Sequence, residues 1–214
     1  PIAVAGTHGK TTTTSILAWV LEAAGLNPSF LIGGIAENFG ASYRLTDSDL
    51  SDIEADEYDT AYFDKGPKMW HYLPWTAVVT NIEFDHADIY RDDIAYRFAF
   101  ERFINLVPRT GTLMVGWDTP VARELAAKSH APVESVDIER PASADTHPRW
   151  QATNVRYGEA GSHFEVVHDG RSLDTVETRL SGAFNVRNAL AAIPAATAAG
   201  LPWARGAGGV ATVR

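Results

Sequence analysis

The sequence has 214 residues, a formal net charge of −9 and a pI near 5.2. This acidic balance argues against nucleic acid as a general partner, although a local cationic loop can still hold a nucleotide. Cysteine is absent, which excludes disulfides and thiolate zinc sites and fits a reducing cytosol. The hydrophobic share of 45% is enough for one large domain, and no apolar run approaches the roughly 18 residues of a membrane span.

The first candidate site lies at the start of the chain, where an apolar strand pattern runs into the loop Gly6-Thr-His-Gly-Lys-Thr-Thr12 and a helical pattern follows. Such a loop turns backbone N–H groups and the positive end of a helix toward an anion, the lysine adds a charge, and the first threonine hydroxyl can bind Mg2+. The general P-loop rule is not fully met, because Val4 stands where its first glycine would fall. A glycine-rich turn with an exposed lysine is the simpler alternative. We expect nucleotide to be bound by Gly6, Thr7, His8, Gly9, Lys10, Thr11 and Thr12.

The elements that follow alternate between helix and strand patterns. A helix is predicted over residues 11–24 and a strand over 28–32, which Gly33 and Gly34 should break. Buried strands are predicted at residues 76–82, 112–115 and 132–136, and helices at 93–106 and 119–128. Residues 1–138 therefore predict an α/β fold with a doubly wound, mostly parallel sheet.

Acidic residues cluster just past two of these strands. Five of the nine residues from Ser51 to Asp59 are acidic, and the strand at 76–82 is followed by Glu83-Phe-Asp-His-Ala-Asp88. Ligands of open α/β sheets gather outside the carboxyl ends of the strands, where carboxylates can hold Mg2+. We therefore expect a metal role for at least one carboxylate of the first cluster and a functional role for His86. The alternatives are a solvated acidic loop and a structural histidine.

Beyond residue 138 the pattern changes. A proline-bearing connector is followed by three alternating segments with turn signals between them, which predict a small antiparallel β meander over residues 149–179. Residues 180–200 predict an alanine-rich helix that carries an asparagine motif, and residues 206–214 show no clear packing pattern.

Four stretches in this order resemble the Mur ligases, the ATP-dependent amide ligases of peptidoglycan synthesis. They are Gly6-Thr-His-Gly-Lys-Thr-Thr12, Glu54-Ala-Asp-Glu57, Thr80-Asn-Ile-Glu-Phe-Asp-His86 and Gly182-x-x-Asn-x-x-Asn-Ala-Leu-Ala191. The resemblance covers residues 1–214 and implies the central ATP-binding domain of a bacterial cytoplasmic enzyme. We expect a UDP-sugar domain to precede Pro1 and a further domain to follow Arg214, so that this stretch alone ligates nothing.

Within the family, the stretches around Glu54 and His86 look most like the branch that joins L-Ala-γ-D-Glu-meso-diaminopimelate to UDP-N-acetylmuramate during peptidoglycan recycling. The nearest alternative is the branch that adds L-alanine to UDP-N-acetylmuramate, which usually has proline where Phe84 stands. A P-loop nucleotide-binding module without ligase chemistry is the alternative from another class.

The resemblance also implies a role for each motif residue. Lys10 would contact the β- and γ-phosphates of ATP; Thr11, Glu54 and His86 would hold Mg2+. Lys10, Glu54 and His86 would thus form the catalytic set. Asn185 and Asn188 would lie near the adenine. Phe184 stands where the family often has histidine, and it could stack on the base. Several relatives use a carbamoylated lysine, but no lysine lies between Lys68 and Lys128, which suits the muramate-accepting branches.

Overall fold

The computed structural model describes residues 1–84, 90–140 and 146–214. These residues form a ten-stranded sheet with helices on both faces and a separate two-stranded hairpin. The strands are β1 (Ile2–Ala5), β2 (Ser29–Ala36), β3 (Ala41–Arg44), β4 (Ser51–Glu54), β5 (Asp59–Ala61), β6 (Asp64–Pro67), β7 (Thr76–Val79), β8 (Thr112–Gly116), β9 (Val133–Ile138), β10 (Trp150–Gly158), β11 (Gly161–His168) and β12 (Arg171–Thr178). The α-helices are α1 (Lys10–Ala23), α2 (Asp93–Ile104), α3 (Pro120–Ala126), α4 (Ala183–Ala198) and α5 (Trp203–Val210), and a 3-10 turn spans Lys68–His71.

The strand order of the sheet is β12-β11-β10-β9-β8-β7-β1-β4-β2-β3. Strands from β2 through β10 in this order pair in parallel, whereas β3 at one edge and β11 and β12 at the other pair antiparallel. The chain leaves β1 toward β4 and β2 on one side and later returns to place β7 on the other. Strand β1 therefore lies at a topological switch point, where open α/β sheets bind ligands.

The central strands are buried on both faces, which explains their uninterrupted apolar sequences. Along β1, Ile2 and Val4 pack under helices α1, α4 and α5, whereas Ala3 and Ala5 pack under α2 and α3. Successive side chains of a strand point to opposite faces, so one four-residue segment contributes to two cores. The predicted doubly wound, mostly parallel sheet is confirmed.

The antiparallel meander is present and continues the main sheet. Strand β10 pairs in parallel with β9, with Trp150 opposite Val136, and β11 and β12 follow as antiparallel neighbours. Its inner face, with Phe164 and Val166, belongs to the same core as α1 and α4. The meander therefore extends the sheet that carries the glycine-bounded loop of residues 6–12.

The structure corrects the sequence interpretation at both glycine-rich segments. Gly33 and Gly34 do not break the second strand, because β2 continues to Ala36. The tail also packs: α5 occupies its start, and a Cβ at Gly209 would lie 3.0 Å from the Cα of Val20 on α1. Glycine gives a sequence no apolar periodicity, yet it permits this close contact between helices. Helix α4 begins at Ala183, so the asparagine motif lies within its first two turns.

None of the helices in the described part of the chain has the length and apolarity needed to cross a bilayer.

Candidate nucleotide and metal site

The loop between β1 and α1 has a backbone that two glycines make possible. Gly6 has φ +138° and Gly9, which caps the start of α1, has φ +83°. Both values disfavour residues with a Cβ. A Cβ on Gly6 would overlap the Thr80 hydroxyl, and one on Gly9 would lie 2.6 Å from Oδ1 of Asn188. The loop is therefore shaped by its own glycines and by the side chains packed against it.

The chain after β7 holds the loop in place. The N–H of His8 donates to Oδ1 of Asn81 at 2.8 Å, and the N–H of Thr7 donates to the Asn81 carbonyl at 3.1 Å. The Thr80 hydroxyl donates to the His8 carbonyl at 2.5 Å. The loop is thus preorganised by residues more than seventy positions away, which lowers the entropic cost of binding an anion.

Thr7 itself faces inward. Its hydroxyl accepts from the N–H of Glu83 at 2.9 Å and lies 2.8 Å from the hydroxyl of Tyr96 on α2. The side chain is 7% exposed. Of the predicted nucleotide-binding residues, Thr7 can therefore offer a ligand its backbone but not its hydroxyl.

Lys10 begins α1 and folds back over the loop. Its ammonium group donates to the Gly6 carbonyl at 2.8 Å and lies 2.8 Å from Oε2 and 3.1 Å from Oε1 of Glu57. Glu57 lies three residues past the end of β4 and is fully buried. The Tyr90 hydroxyl donates to the Glu57 carbonyl at 2.6 Å. Burial, and then the charge of Glu57, raise the pKa of Tyr90, so its hydroxyl keeps the proton that it donates.

Thr11 and Glu54 form the second element of the site. The Thr11 hydroxyl donates to Oε1 of Glu54 at 2.9 Å, and the N–H of Gly33 donates to Oε2 at 2.6 Å. A Cβ on Gly33 would lie within 3 Å of the Glu54 carboxylate, so this glycine makes room for it. A hydroxyl and a carboxylate oxygen beside a phosphate-binding loop fit the oxygen-ligand preference of Mg2+.

The described residues contain no group of three or more histidine, aspartate and glutamate side chains arranged to hold a metal by themselves. Thr11 and Glu54 would therefore supply two ligands of an ion whose other ligands come from elsewhere, such as phosphate and water. His86, the third predicted metal ligand, lies outside the described residues.

These elements line one cleft of about 430 Å³ at the carboxyl ends of β1 and β4. The loop and the first turn of α1 form one wall, and the segment after β4 forms the other. The lining residues are Thr7, His8, Gly9, Lys10, Thr11, Thr12, Glu54, Asp56 and Tyr58. The structure thus brings the predicted loop and Glu54 together in one opening.

The asparagine motif divides into two parts. Asn188 is buried against the loop at Gly9, whereas Asn185 donates from Nδ2 to the Ser181 carbonyl at 2.9 Å at the start of α4. Phe184, one turn before Asn188, is 69% exposed. Asn188 therefore packs directly against the loop of residues 6–12, whereas the Phe184 side chain is largely exposed to solvent. Contact of these residues with adenine stays a prediction.

Sequence reasoning missed the carboxylate that pairs with Lys10. Glu57 was one of five acidic residues in its cluster, and no spacing rule distinguished it from Asp56 or Asp59. Thr80 and Asn81 stood in a recognised motif without a role, and the structure makes them supports of the loop. The partners of all three lie in the loop between β1 and α1 or at the start of α1, far away along the chain, so only the fold reveals them.

The chain matches the family of the Mur ligase middle domain over residues 4–196. It belongs to this family. The expected resemblance is therefore confirmed for the domain that the described site occupies.

Individual proteins of this family are also similar to the chain. A UDP-N-acetylmuramate–L-alanyl-γ-D-glutamyl-meso-2,6-diaminoheptandioate ligase from Haemophilus influenzae is 45% identical over 195 residues, which are 91% of this chain and 41% of that protein. A UDP-N-acetylmuramate–L-alanine ligase from Roseiflexus sp. is 42% identical over 211 residues, 94% of this chain and 44% of that protein. This Mur ligase domain thus spans about two-fifths of the length of the curated relatives it matches.

A solved structure is similar over the whole of this chain. The crystal structure of a UDP-N-acetylmuramate:L-alanyl-γ-D-glutamyl-meso-diaminopimelate ligase from Neisseria meningitides superimposes with a TM-score of 0.88 and 42% identity. The match covers 100% of this chain and 65% of that one.

Proposed function

We propose that this chain is the ATP-binding middle domain of an ATP-dependent ligase of peptidoglycan recycling. The ligase would join L-Ala-γ-D-Glu-meso-diaminopimelate to UDP-N-acetylmuramate in the bacterial cytoplasm. The observation that carries the proposal is the meeting of Lys10, Thr11 and Glu54 in one cleft at the ends of β1 and β4. The 45% identity to a ligase of that name supports the substrates.

The residues suit the electrostatic problem of this chemistry. A substrate carboxylate must approach an ATP phosphate, so two anions have to be brought together and their charge neutralised. Lys10 would contact the β- and γ-phosphates, and the backbone of residues 6–12 would surround them at the start of α1. Thr11 and Glu54 would hold Mg2+, with His86 placing a second ion. Bound there, the metal would neutralise charge that develops on the transferring phosphoryl group.

The reaction would proceed in two steps. The lactyl carboxylate of UDP-N-acetylmuramate attacks the γ-phosphorus, which gives an acyl phosphate and ADP. The peptide amine then attacks the acyl carbon, loses a proton and expels phosphate, which leaves an amide. Asn185, Asn188 and Phe184 would orient the adenosine part, so that the γ-phosphate lies beside Lys10.

We further propose three parts within this middle domain. Residues 1–138 form the P-loop part, 149–179 the meander and 180–200 the helix with the asparagine motif. Other domains of the ligase would bind UDP-N-acetylmuramate and the peptide, because positioning the two reactants requires contacts beyond the cleft described. The 214-residue chain by itself should bind ATP–Mg2+ weakly and form no amide; measurable amide formation by this chain alone would contradict the domain assignment.

The decisive experiment measures phosphate release by the full-length protein with ATP, Mg2+ and UDP-N-acetylmuramate. Either the tripeptide or L-alanine is supplied as the acceptor. Stimulation by the tripeptide alone establishes the recycling ligase. Stimulation by L-alanine alone establishes the second candidate, which the 42% identity to an L-alanine ligase favours. If neither acceptor stimulates release, the proposed ligase activity is contradicted and a nucleotide-binding module without ligase chemistry is favoured instead.

A further inference from the structure

Glu57 is a buried carboxylate beside the phosphate loop that the mechanism above does not use. It forms an ion pair with the one lysine of the phosphate loop, at 2.8 Å. We propose that Glu57 is the resident counter-ion of Lys10, which nucleotide phosphates must displace, and that it thereby sets the affinity of the loop for di- and triphosphates. The inference rests on the proposed nucleotide site and adds a residue that determines how tightly that site binds.

The ammonium group of Lys10 is fully engaged in the structure. A lysine has three N–H donors. Here the acceptors around them are the Gly6 carbonyl at 2.8 Å, the Thr7 carbonyl at 3.5 Å and the Glu57 carboxylate at 2.8 and 3.1 Å. A phosphate oxygen can accept a hydrogen bond from Lys10 only if one of these contacts is given up. The carboxylate is the acceptor that an arriving anion repels, so its contact is the one exchanged.

Glu57 is fixed more firmly than Lys10. Its side chain is 0% exposed, compared with 13% for Lys10. Its backbone carbonyl accepts from Tyr90, and the carbonyls of its neighbours Asp56 and Tyr58 accept from Met69 and Lys68 at 2.9 Å. Lysine has a flexible four-carbon stem, which lets its ammonium group move while its Cα stays in place. The exchange therefore moves Lys10 toward the phosphate and leaves Glu57 where it is.

The ion pair between Lys10 and Glu57 reduces the net free energy gained when a phosphate binds. In the wild type, each new contact between Lys10 and a phosphate is offset by the loss of the contact with Glu57. Replacing Glu57 by glutamine leaves Lys10 as an uncompensated, nearly buried charge, which destabilises the free protein. A bound phosphate then neutralises the charge of Lys10. The Glu57→Gln variant should therefore be less stable without nucleotide and bind phosphates more tightly.

The test compares ATP, ADP and AMP, because AMP lacks the β- and γ-phosphates that Lys10 would contact. Binding to the 214-residue chain and to the full-length protein is measured by calorimetry in the wild type, Glu57→Gln, Lys10→Met and the double variant. We expect Glu57→Gln to bind ATP and ADP about tenfold tighter, with unchanged AMP affinity. In the Lys10→Met background, Glu57→Gln should leave the affinities for ATP and ADP unchanged, because the lysine through which Glu57 acts is gone.

Glu159→Gln is the matched control, because it removes the same charge from an exposed position in the meander turn. Glu57→Asp is the second variant in case glutamine impairs folding. It keeps the charge but withdraws the carboxylate from Lys10 by one methylene. ATP affinity should therefore rise, but by less than in Glu57→Gln.

Two outcomes would overturn the inference. One is an unchanged ratio of ATP to AMP affinity in both Glu57 variants; the other is weaker ATP binding. A wild-type protein that binds neither ATP nor ADP would instead overturn the proposed nucleotide site, and this inference with it.

Discussion

The Thr11 hydroxyl donates a 2.9 Å hydrogen bond to the Glu54 carboxylate, although 43 positions separate the two residues in the chain. Thr11 lies in the first turn of α1, just past the loop that follows β1, and Glu54 ends β4, the parallel neighbour of β1. Parallel strands carry their carboxyl ends to the same edge of a sheet, which is why two distant motifs form one oxygen-lined position.

Glu54→Gln tests whether this position holds the metal. The substitution keeps the size of the side chain and removes its charge, so we expect ATP affinity in the presence of Mg2+ to fall at least about tenfold. With EDTA in place of Mg2+ the affinity should stay the same or rise slightly, because a negative charge beside the phosphates is gone. Calorimetric titrations under both conditions, with Glu159→Gln as control, measure the difference. An equal loss with and without Mg2+ would argue against a metal role.

Gly9→Ala tests the left-handed turn that starts α1. At φ +83°, and with Oδ1 of Asn188 only 2.6 Å from the added Cβ, alanine should lower the free energy of unfolding by about 1–3 kcal/mol. Nucleotide binding should weaken as well, because the loop backbone must shift.

Gly208→Ala is the matched control for this prediction. It lies in α5 with nothing within 4 Å of the new Cβ, and helix propensity predicts a gain of roughly 0.5–1 kcal/mol. Urea denaturation measures both variants. A lower free energy of unfolding in Gly208→Ala would show that the local geometry of α5 differs from the one described.

Asp52→Asn tests a buried carboxyl group on β4. Asp52 is 0% exposed, and burial raises its pKa well above the usual range. A pKa that is higher in the folded state gives stability that is present below about pH 4 and is lost as the pH rises through the folded value. The variant cannot ionise, so it should be more stable than the wild type near pH 8, by about 1–3 kcal/mol, and nearly equal near pH 4.

Melting temperatures across this pH range measure the effect of Asp52→Asn. Asp49→Asn, at an exposed position two residues before the start of β4, should leave the pH profile of the melting temperature unchanged. A constant difference between Asp52→Asn and the wild type at all pH values would contradict ionisation of Asp52 as the cause.

Phe184→Ala tests the predicted stacking on the adenine. Base–aromatic stacking contributes roughly 1–3 kcal/mol, so ATP affinity should fall about tenfold or more, whereas the affinity for inorganic triphosphate should not change. Phe98→Ala is the control, since Phe98 is 56% exposed on α2 and packs against Trp70. Competition titrations with the two ligands separate the outcomes. Equal weakening of both ligands would indicate a disturbed loop instead of a lost stacking contact.

The elements with a strong apolar period or a glycine-bounded loop could be predicted from the sequence. The loop of residues 6–12, helix α1, the buried strands β7, β8 and β9 and the meander all correspond to local patterns, and the structure has each within a few residues. Helix α5 and the continuation of β2 through Gly33 could not be predicted, because glycine carries no apolar signal. There, packing against another element decides the conformation.

The sequence by itself determined the fold class and the family, and it predicted that Lys10, Thr11 and Glu54 belong to one site, because each depends on short motifs along the chain. Only the tertiary structure decided which acidic residue pairs with Lys10, which glycine accommodates Glu54, and that Asn81 and Asn188 support the loop. These contacts join residues from loops, strands and helices that are far apart along the chain. Strand order decides which residues meet. Burial removes water from some carboxylates and leaves chemically identical ones in solvent.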